Sequence, residues 1–247
     1  MATVTNSEVW TADDAATYED DVAEMFEPDA LVPAAEFLAD AVAGGRALEF
    51  AIGSGRVALA LAERGVEVVG IELSQPMIDV MLAKPGSDRV PVFCGDMATM
   101  RVDGTFRLVY LVFNTITNLL TQAAQVACFQ NAATHLEPGG RFVIETFVPA
   151  LQRIPFGENL VPFDVSDGHI GIDEYDIANQ MLVSHHVSVR PDGTTRSSGR
   201  FRYAWPAEYD LMAQIAGMHL RERWADWNRS PFTSTSTSHV SVWEKDR

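Results

Sequence analysis

Residues 46–72 decide the fold, and they read RALEFAIGSGRVALALAERGVEVVGIE. Two short apolar runs at the ends of this stretch predict β-strands, and the Ala- and Leu-rich segment 57–64 between them predicts a helix. Gly53-Ser54-Gly55 predicts a tight turn before the helix, and connections this short favour parallel strands with a right-handed crossover. Glu72 ends the second strand. This layout is typical of nucleotide binding, in which backbone at the turn approaches the ligand and a carboxylate binds two ribose hydroxyls.

The remainder of the chain extends this unit in both directions. Strand 106–113 (FRLVYLVF) is almost continuously apolar, as expected in the middle of a parallel sheet. Further strands are predicted at residues 90–93, 141–147, 220–227 and 240–243, and further helices at 31–42, 122–136 and 206–216. We therefore expect an α/β fold, with a Rossmann-like doubly wound sheet that is mostly parallel and has an antiparallel last strand. Residues 46–147 and 205–247 would form this core.

Residues 1–45 are predicted to form a helical lid over the core, after a loose start. Within them, the segment 15–29 has apolar residues near helical spacing, and Pro28 is predicted to stop that helix. Two interpretations are open. The helix is either a lid whose Tyr18 reaches into the nucleotide site, or an amphipathic helix that only packs against the core.

Residues 148–204 predict an antiparallel β insertion after the fifth strand, serving as a substrate cover or as a dimer contact. Pro191-Asp192-Gly193 predicts a turn within it. Alternation divides one strand of the insertion into two faces. The apolar face carries Met181, Val183, His185, Val187 and Val189, and the other carries Ser184, His186 and Ser188. On this pattern His185 is expected to be a packing residue. For His186 two interpretations are open, a general base or a side chain that merely faces solvent.

Composition and charge restrict the partners and the compartment. The net charge is −16, and residues 1–45 hold eleven carboxylates and no Lys or Arg. Such an acidic surface opposes phosphate backbones and anionic membranes, so we expect no nucleic-acid and no membrane partner. Cys94 and Cys128 are too few for a disulfide framework or a zinc cage, and the polar N-terminus is unlike a secretory signal. These features favour the cytoplasm.

The Gly-rich turn alone leaves the ligand open. Residues 53–58 fit G-x-G-x-x-A, which permits an NAD-dependent oxidoreductase. Three further features favour a different nucleotide. Glu49 lies on the first strand just before the turn, Gly95-Asp96 follows the third strand, and a Pro-Gly-Gly turn at 138–140 precedes the fifth.

With these features the sequence resembles the class I S-adenosylmethionine-dependent methyltransferases. Their motif is acid-x-Gly-x-Gly-x-Gly, and here it is Glu49-Phe50-Ala51-Ile52-Gly53-Ser54-Gly55, with Ala51 in place of the first glycine. The match covers about residues 30–147, and residues 206–245 are consistent with the same fold. The plan with a lid and a β insertion looks like small-molecule methyltransferases of secondary metabolism, including amino-sugar N-methyltransferases.

The resemblance implies S-adenosylmethionine as the cofactor and S-adenosylhomocysteine as its product. It places the methionine part over Ala51, Gly53 and Gly55, lets Glu49 orient the turn and the amino group, and gives the ribose hydroxyls to Glu72. The other residues that it places around the cofactor are Tyr18, Leu73, Met77, Gly95, Asp96, Met97 and Phe113. Carboxylates suit a cationic sulfonium and neutral hydroxyl or amine donors, whereas they do not suit a pyrophosphate.

The acceptor and any general base are less defined by the sequence. In-line methyl transfer to a small molecule requires alignment in a dry pocket, and a base is needed only when the nucleophile arrives protonated. The base candidates are Glu145, His185 and His186, followed by His169, Glu174 and Tyr175. The candidate substrate residues are Asn114, Asn118, Phe147 and Tyr175. Nitrogen, oxygen and carbon acceptors stay open, as do a homodimer and a non-catalytic cofactor-binding or interaction protein. No metal site is predicted.

Overall fold

The computed structural model of the protein describes residues 11–190 and 193–246. Residues 1–10 and most of the predicted turn at Pro191-Asp192-Gly193 lie outside the described residues. The loose start was predicted over residues 1–14, which is wrong for residues 12–14, because they belong to a helix. The α-helices are α1 (Ala12–Asp21), α2 (Pro28–Val42), α3 (Arg56–Glu63), α4 (Gln75–Leu82), α5 (Gln122–His135) and α6 (Pro206–Ile215). The strands are β1 (Arg46–Phe50), β2 (Glu67–Glu72), β3 (Val92–Cys94), β4 (Phe106–Leu111), β5 (Leu136–Phe147), β6 (Leu160–Ser166), β7 (His169–Asp176), β8 (Met181–Arg190), β9 (Gly193–Arg202), β10 (Met218–Trp224) and β11 (Ser238–Lys245).

The core is one seven-stranded sheet in the order β10-β11-β5-β4-β1-β2-β3. Strands β3, β2, β1, β4 and β5 are parallel to one another, and β11 runs antiparallel between β5 and β10. The Rossmann-like fold predicted from the sequence is confirmed. Strand order reverses between β1 and β4, and ligands bind outside the carboxyl ends of the strands at such a switch point.

Helices cover both faces of this sheet with two apolar clusters. On one face, Phe129 of α5 packs edge-to-face against Phe142 and Trp243, with ring centroids 5.1 and 5.2 Å apart. On the other face, fully buried side chains such as Leu38 of α2 and Leu61 of α3 contact the sheet. Burial on both faces explains why the parallel strands are apolar runs without alternation. Within the described residues, every helix is too short or too polar to span a bilayer.

A second sheet follows β5 and has the antiparallel order β6-β7-β8-β9. The predicted β insertion is confirmed. Strand β6 was not predicted, because Pro162 lies within it and the surrounding segment is rich in proline. Proline is tolerated there because β6 is an edge strand that pairs only with β7.

The N-terminal helices begin and end at residues other than those predicted. Thr11 caps α1 in a capping box, in which its hydroxyl accepts from the Asp14 N–H and the Asp14 carboxylate accepts from the Thr11 N–H. Pro28 was predicted to stop this helix, which is wrong. It is the first residue of α2, where the missing N–H of proline costs no hydrogen bond.

A buried cation joins the second sheet to the core. Arg202 ends β9 and is 5% exposed. Its guanidinium donates to Gln125 Oε1 at 2.5 Å, to Gln180 Oε1 at 2.9 Å and to Glu208 Oε1 at 2.7 Å. Gln125 Nε2 in turn donates to the Arg202 carbonyl at 3.0 Å. This network fixes where β9 meets α5 and α6.

Candidate functional site

A cavity of about 680 Å³ lies between the carboxyl ends of the core strands and one face of the second sheet. Most of the residues predicted to bind the cofactor line it. They are Tyr18, Ala51, Gly53, Glu72, Leu73, Met77, Gly95, Asp96, Met97 and Phe113. Glu49 and Gly55 are not in the lining and lie behind the turn. The cavity is within the volume range of small-molecule sites.

The turn after β1 is held by the carboxylate at the end of β2. Glu72 Oε2 accepts from the Gly53 N–H at 2.9 Å, and Oε1 accepts from the Ser74 N–H at 2.8 Å. Burial raises the pKa of Glu72. Each carboxylate oxygen has a second lone pair, so Glu72 can hold the turn and still accept from ribose hydroxyls.

At two residues in and beside the turn the backbone has a positive φ, which favours glycine. Gly55 has φ +81°, and a Cβ there would lie 2.8 Å from Cγ of Met81, so glycine is required. Ala51 has φ 51°, in the left-handed region, where an L-residue costs about 1–2 kcal/mol. Glycine adopts this conformation at no steric cost, so Ala51 holds a conformation that suits glycine better.

Glu49 is buried beneath the turn and not exposed to the cavity. It accepts from the Tyr110 hydroxyl at 2.8 Å and from the Ala58 N–H in the first turn of α3. Burial raises the pKa of Glu49 to about 8. Gly55, the N-cap of α3, has no side chain to cap the helix, so Glu49 supplies an acceptor for that helix start.

We expect the Glu49→Gln variant to change how stability depends on pH. The pKa of Glu49 is raised in the folded protein to about 8 from an ordinary value near 4.5. Its favourable contribution is therefore complete below about pH 4.5 and is lost as the pH rises through 8. In urea unfolding of the unliganded protein, wild type should lose stability relative to Glu49→Gln between pH 5 and 8.5. The exposed Glu63→Gln variant on α3 is the control, and equal slopes for all three proteins would contradict the prediction.

The N-terminal segment is tied to the cofactor side of the cavity. Tyr18, Asp21 and Val22 contribute to the lining. Lys84 forms an ion pair with Glu19 and donates to the Ser54 carbonyl at 2.7 Å. Helix α1 therefore lies next to the Gly-rich turn at residues 53–55. Burial in this position raises the pKa of the Tyr18 hydroxyl.

The loop after β4 forms one wall of the cavity. Asn114 and Asn118 line the cavity, as does Phe147. Asn114 adopts φ 61°, and its Oδ1 accepts from the Phe147 N–H at 2.7 Å. Glu145 lies outside the lining because its Oε2 accepts from the Phe113 N–H at 2.9 Å, which gives it a role in shaping this loop.

The second sheet presents the face of β8 that was predicted to be polar. Leu182, Ser184 and His186 line the cavity, so the interpretation that His186 merely faces solvent is wrong. His185 points to the opposite face, where its Nε2 lies 3.2 Å from Glu174 Oε2. The alternation is correct, but hydrophobicity indicated the wrong face because Ser184 and His186 face the cavity rather than bulk solvent.

Tyr175 does not reach the cavity lining. It is 4% exposed and packs edge-to-face on Tyr203, with ring centroids 5.5 Å apart. Sequence reasoning missed several lining residues: Asp21, Thr115, Thr117, Asp173, Leu182 and Phe201. Asp173 pairs with Ser184 across β7 and β8, a register that no local sequence signal defines.

The cavity is acidic. Among the described residues that line it, four are carboxylates (Asp21, Glu72, Asp96 and Asp173) and none is Lys or Arg. Arg56 follows the turn but donates away from the cavity, to the Met25 carbonyl at 3.0 Å. Such a lining favours cations and offers no partner to a pyrophosphate. The described residues contain no group of three or more side chains suited to a metal ion.

Comparison with known proteins identifies the family. A methyltransferase-domain family profile matches residues 47–140. Cypemycin N-terminal methyltransferase from Streptomyces sp is 30% identical over 208 residues, which cover 82% of this chain and 84% of that protein. The CcbJ methyltransferase from Streptomyces caelestis is 36% identical, with a TM-score of 0.80 over 95% of this chain and 100% of that chain. The chain belongs to the S-adenosylmethionine-dependent methyltransferases.

A more distant structure supports the fold of this methyltransferase. CalS10, an amino pentose methyltransferase of calicheamicin biosynthesis from Micromonospora echinaspora with S-adenosylmethionine bound, has a TM-score of 0.69 at 20% identity. The match covers 99% of each chain. The oxidoreductase alternative is not favoured.

The chemistry of the lining fits the cofactor of the methyltransferase. When bound, S-adenosylmethionine supplies a methyl group that a positively charged sulfur has already activated. Glu72 can accept from the ribose, Asp96 can accept from an exocyclic amine, and Leu73 and Met77 offer apolar surface to the adenine. The protein's own task is to hold this group, exclude water and align the acceptor.

Proposed function

We propose that the enzyme N-methylates a small molecule that carries an amine. The observation that carries this proposal is the acidic cavity lining, with four carboxylates and no Lys or Arg among its described residues. An amine in its protonated form is attracted by such a lining, whereas an acidic phenol or a carboxylate is not. Among the similar proteins, cypemycin N-terminal methyltransferase and an amino pentose methyltransferase are named for substrates with amino groups.

The parts of the chain divide the work in this proposal. Helix α1 forms the lid, with Tyr18 over the cofactor, whereas α2 packs against the sheet and belongs to the core. Residues 46–147 and 205–247 form the cofactor-binding core, and residues 148–204 cover the acceptor. The lining of the acceptor half supports this division, because Phe147 and Asn118 come from the core whereas Ser184 and His186 come from the second sheet.

In this proposal, side chains on the acceptor half of the cavity bind and orient the amine. Asp173 offers a negative charge to an incoming ammonium, and Phe147 and Leu182 exclude water around the reacting atoms. Asn118 is placed to orient a substrate hydroxyl or amine. Alignment in a dry cavity is the main source of rate in such a transfer.

We expect transfer of labelled methyl from S-adenosylmethionine to at least one member of an amine panel. The panel contains amino sugars, peptides with a free N-terminus and simple aliphatic amines, and each amine is paired with the analogue that has a hydroxyl in its place. Scintillation counting and mass spectrometry measure the product. Labelled product from the amines and none from the hydroxyl analogues would support the proposal. Transfer only to the hydroxyl analogues, or to no compound, would contradict it.

The surroundings of the enzyme are also part of this proposal. We infer a cytoplasmic enzyme without nucleic-acid or membrane partners, as the net charge of −16 favours. A homodimer would use the exposed apolar side chains of the second sheet, which include Val165 and Ile170. Light scattering at several protein concentrations tests for that dimer.

A further inference from the structure

Four polar side chains form a continuous row across β6, β7 and β8. Ser184 Oγ lies 3.2 Å from His186 Nε2, and His186 Nδ1 lies 3.0 Å from His169 Nε2. His169 Nδ1 lies 2.6 Å from Asp164 Oδ2. The row ends in the cavity, because Ser184 and His186 belong to its lining.

The far end of the row determines where each hydrogen lies. The Asp164 carboxylate can only accept, so His169 carries its hydrogen on Nδ1. In a neutral His169, Nε2 is then an acceptor, and His186 must donate to it from Nδ1. His186 Nε2 is left with a lone pair directed at the Ser184 hydroxyl, which is 8% exposed as a residue and faces the cavity.

We propose that this row is a proton relay that deprotonates the acceptor amine. The inference rests on the proposed function. The acceptor's ammonium gives a proton to Ser184 Oγ, while the Ser184 hydrogen passes to His186 Nε2. One N–H and one O–H bond break, and one O–H and one N–H bond form. The electron pair stays on the amine nitrogen, which then bonds the methyl carbon while the sulfur keeps the carbon–sulfur pair.

The charges around His186 suit a group that is neutral at rest and charged for a short time. Burial lowers the pKa of His186, and the neighbouring His169 and His185 act in the same direction. Asp173 on β7 favours the charged form, and Asp164 on β6 acts through His169. On β9, the residue paired with His186 is the uncharged Ser197. Asp173 is an alternative acceptor for the Ser184 hydroxyl, which can turn to that carboxylate once His186 is protonated.

NMR of the histidine rings shows which ring nitrogen of His169 and of His186 carries the hydrogen, and it needs no methyl acceptor. Long-range proton–nitrogen correlation spectra are recorded on the protein saturated with S-adenosylhomocysteine at pH 7.5. The relay requires both His169 and His186 to carry hydrogen on Nδ1. Asp164→Leu, which removes the acceptor, should no longer hold His169 in this tautomer. An Nε2–H tautomer of either ring in the wild-type protein would overturn the relay.

The pH profile of methyl transfer tests the role of the row. The substrate is the panel amine with the fastest turnover, with His186→Gln and Ser184→Ala compared with wild type. We expect kcat to fall about 100- to 10,000-fold at pH 7. The deficit should shrink as the pH approaches the pKa of the amine, because the free amine needs no base. A structural role would instead lower kcat equally at every pH.

A surface histidine provides the matched control. His219 also contacts an aspartate, with Nδ1 2.9 Å from Asp246 Oδ1, but it is exposed on β10. We expect His219→Gln to retain wild-type kcat at each pH. Methylation of an amine with no effect of His186→Gln would overturn the relay and leave the proposed function standing. If both histidines carry hydrogen on Nδ1 but no amine is methylated, the proposed function is overturned. Deprotonation of an acceptor amine by the row is then overturned as well.

Discussion

Replacing Arg202 with Met is expected to lower the free energy of unfolding by about 3–5 kcal/mol, the range for breaking a buried ion pair from one side. The guanidinium has three partners from different parts of the chain: Gln125 on α5, Gln180 before β8 and Glu208 on α6. Methionine fills much of the volume but leaves the Glu208 carboxylate without its cation. Contact with Arg202 is one of the interactions that lower the pKa of Glu208, against the effect of burial.

Urea unfolding at pH 7 measures this loss, with the exposed Arg200→Met on the same strand as control. The control should change stability by less than about 0.5 kcal/mol. In the double variant Arg202→Met with Glu208→Leu, we expect part of the loss to return because no unpaired charge is left. A loss below about 1 kcal/mol for Arg202→Met would show that the network does not hold the two sheets together.

Replacing Glu72 with Ala is expected to weaken the binding of S-adenosylhomocysteine by about 1–3 kcal/mol, the range for buried polar groups left unpaired. Two sets of donors lose their acceptor. The Gly53 and Ser74 amides are bonded to Glu72 in the structure, and the ribose hydroxyls are the partners proposed for it. The affinity loss therefore combines a looser turn with fewer direct contacts.

Calorimetry at pH 7.5 measures the dissociation constants, with Glu67→Ala as control on the exposed start of the same strand. Glu67 is remote from the cavity, so its variant should bind as wild type does. Glu72→Gln keeps one acceptor oxygen and replaces the other by an N–H donor, so we expect a smaller loss of affinity than for Glu72→Ala. An unchanged dissociation constant for Glu72→Ala would remove Glu72 from the cofactor site.

The sequence was sufficient for the core because its signals are local. Residues 46–72 contain a complete strand–turn–helix–strand unit, and parallel pairing follows from its short connections. Burial on both faces makes β4 an apolar run that is easy to recognise. The same locality explains the error at Pro28, since a proline is equally compatible with the end of one helix and the start of the next.

The acceptor half was less predictable because it depends on contacts between distant segments. Alternation along β8 correctly places Ser184 and His186 on one face of the strand. The sequence of β8 does not indicate that this face lines a cavity. Asp164 joins the row only through the pairing of β6 with β7 and of β7 with β8. Glu145 illustrates the converse, because a carboxylate at a strand end suggests chemistry, whereas here it bonds the Phe113 N–H.

A crystal structure of the enzyme with S-adenosylhomocysteine is the decisive test of the cofactor and acceptor sites. We expect ribose hydroxyls within hydrogen-bond distance of Glu72, the adenine between Met77 and Asp96, and the sulfur facing the side of the cavity that carries Ser184 and His186. Nucleoside bound elsewhere, or sulfur facing away from the second sheet, would contradict this expectation.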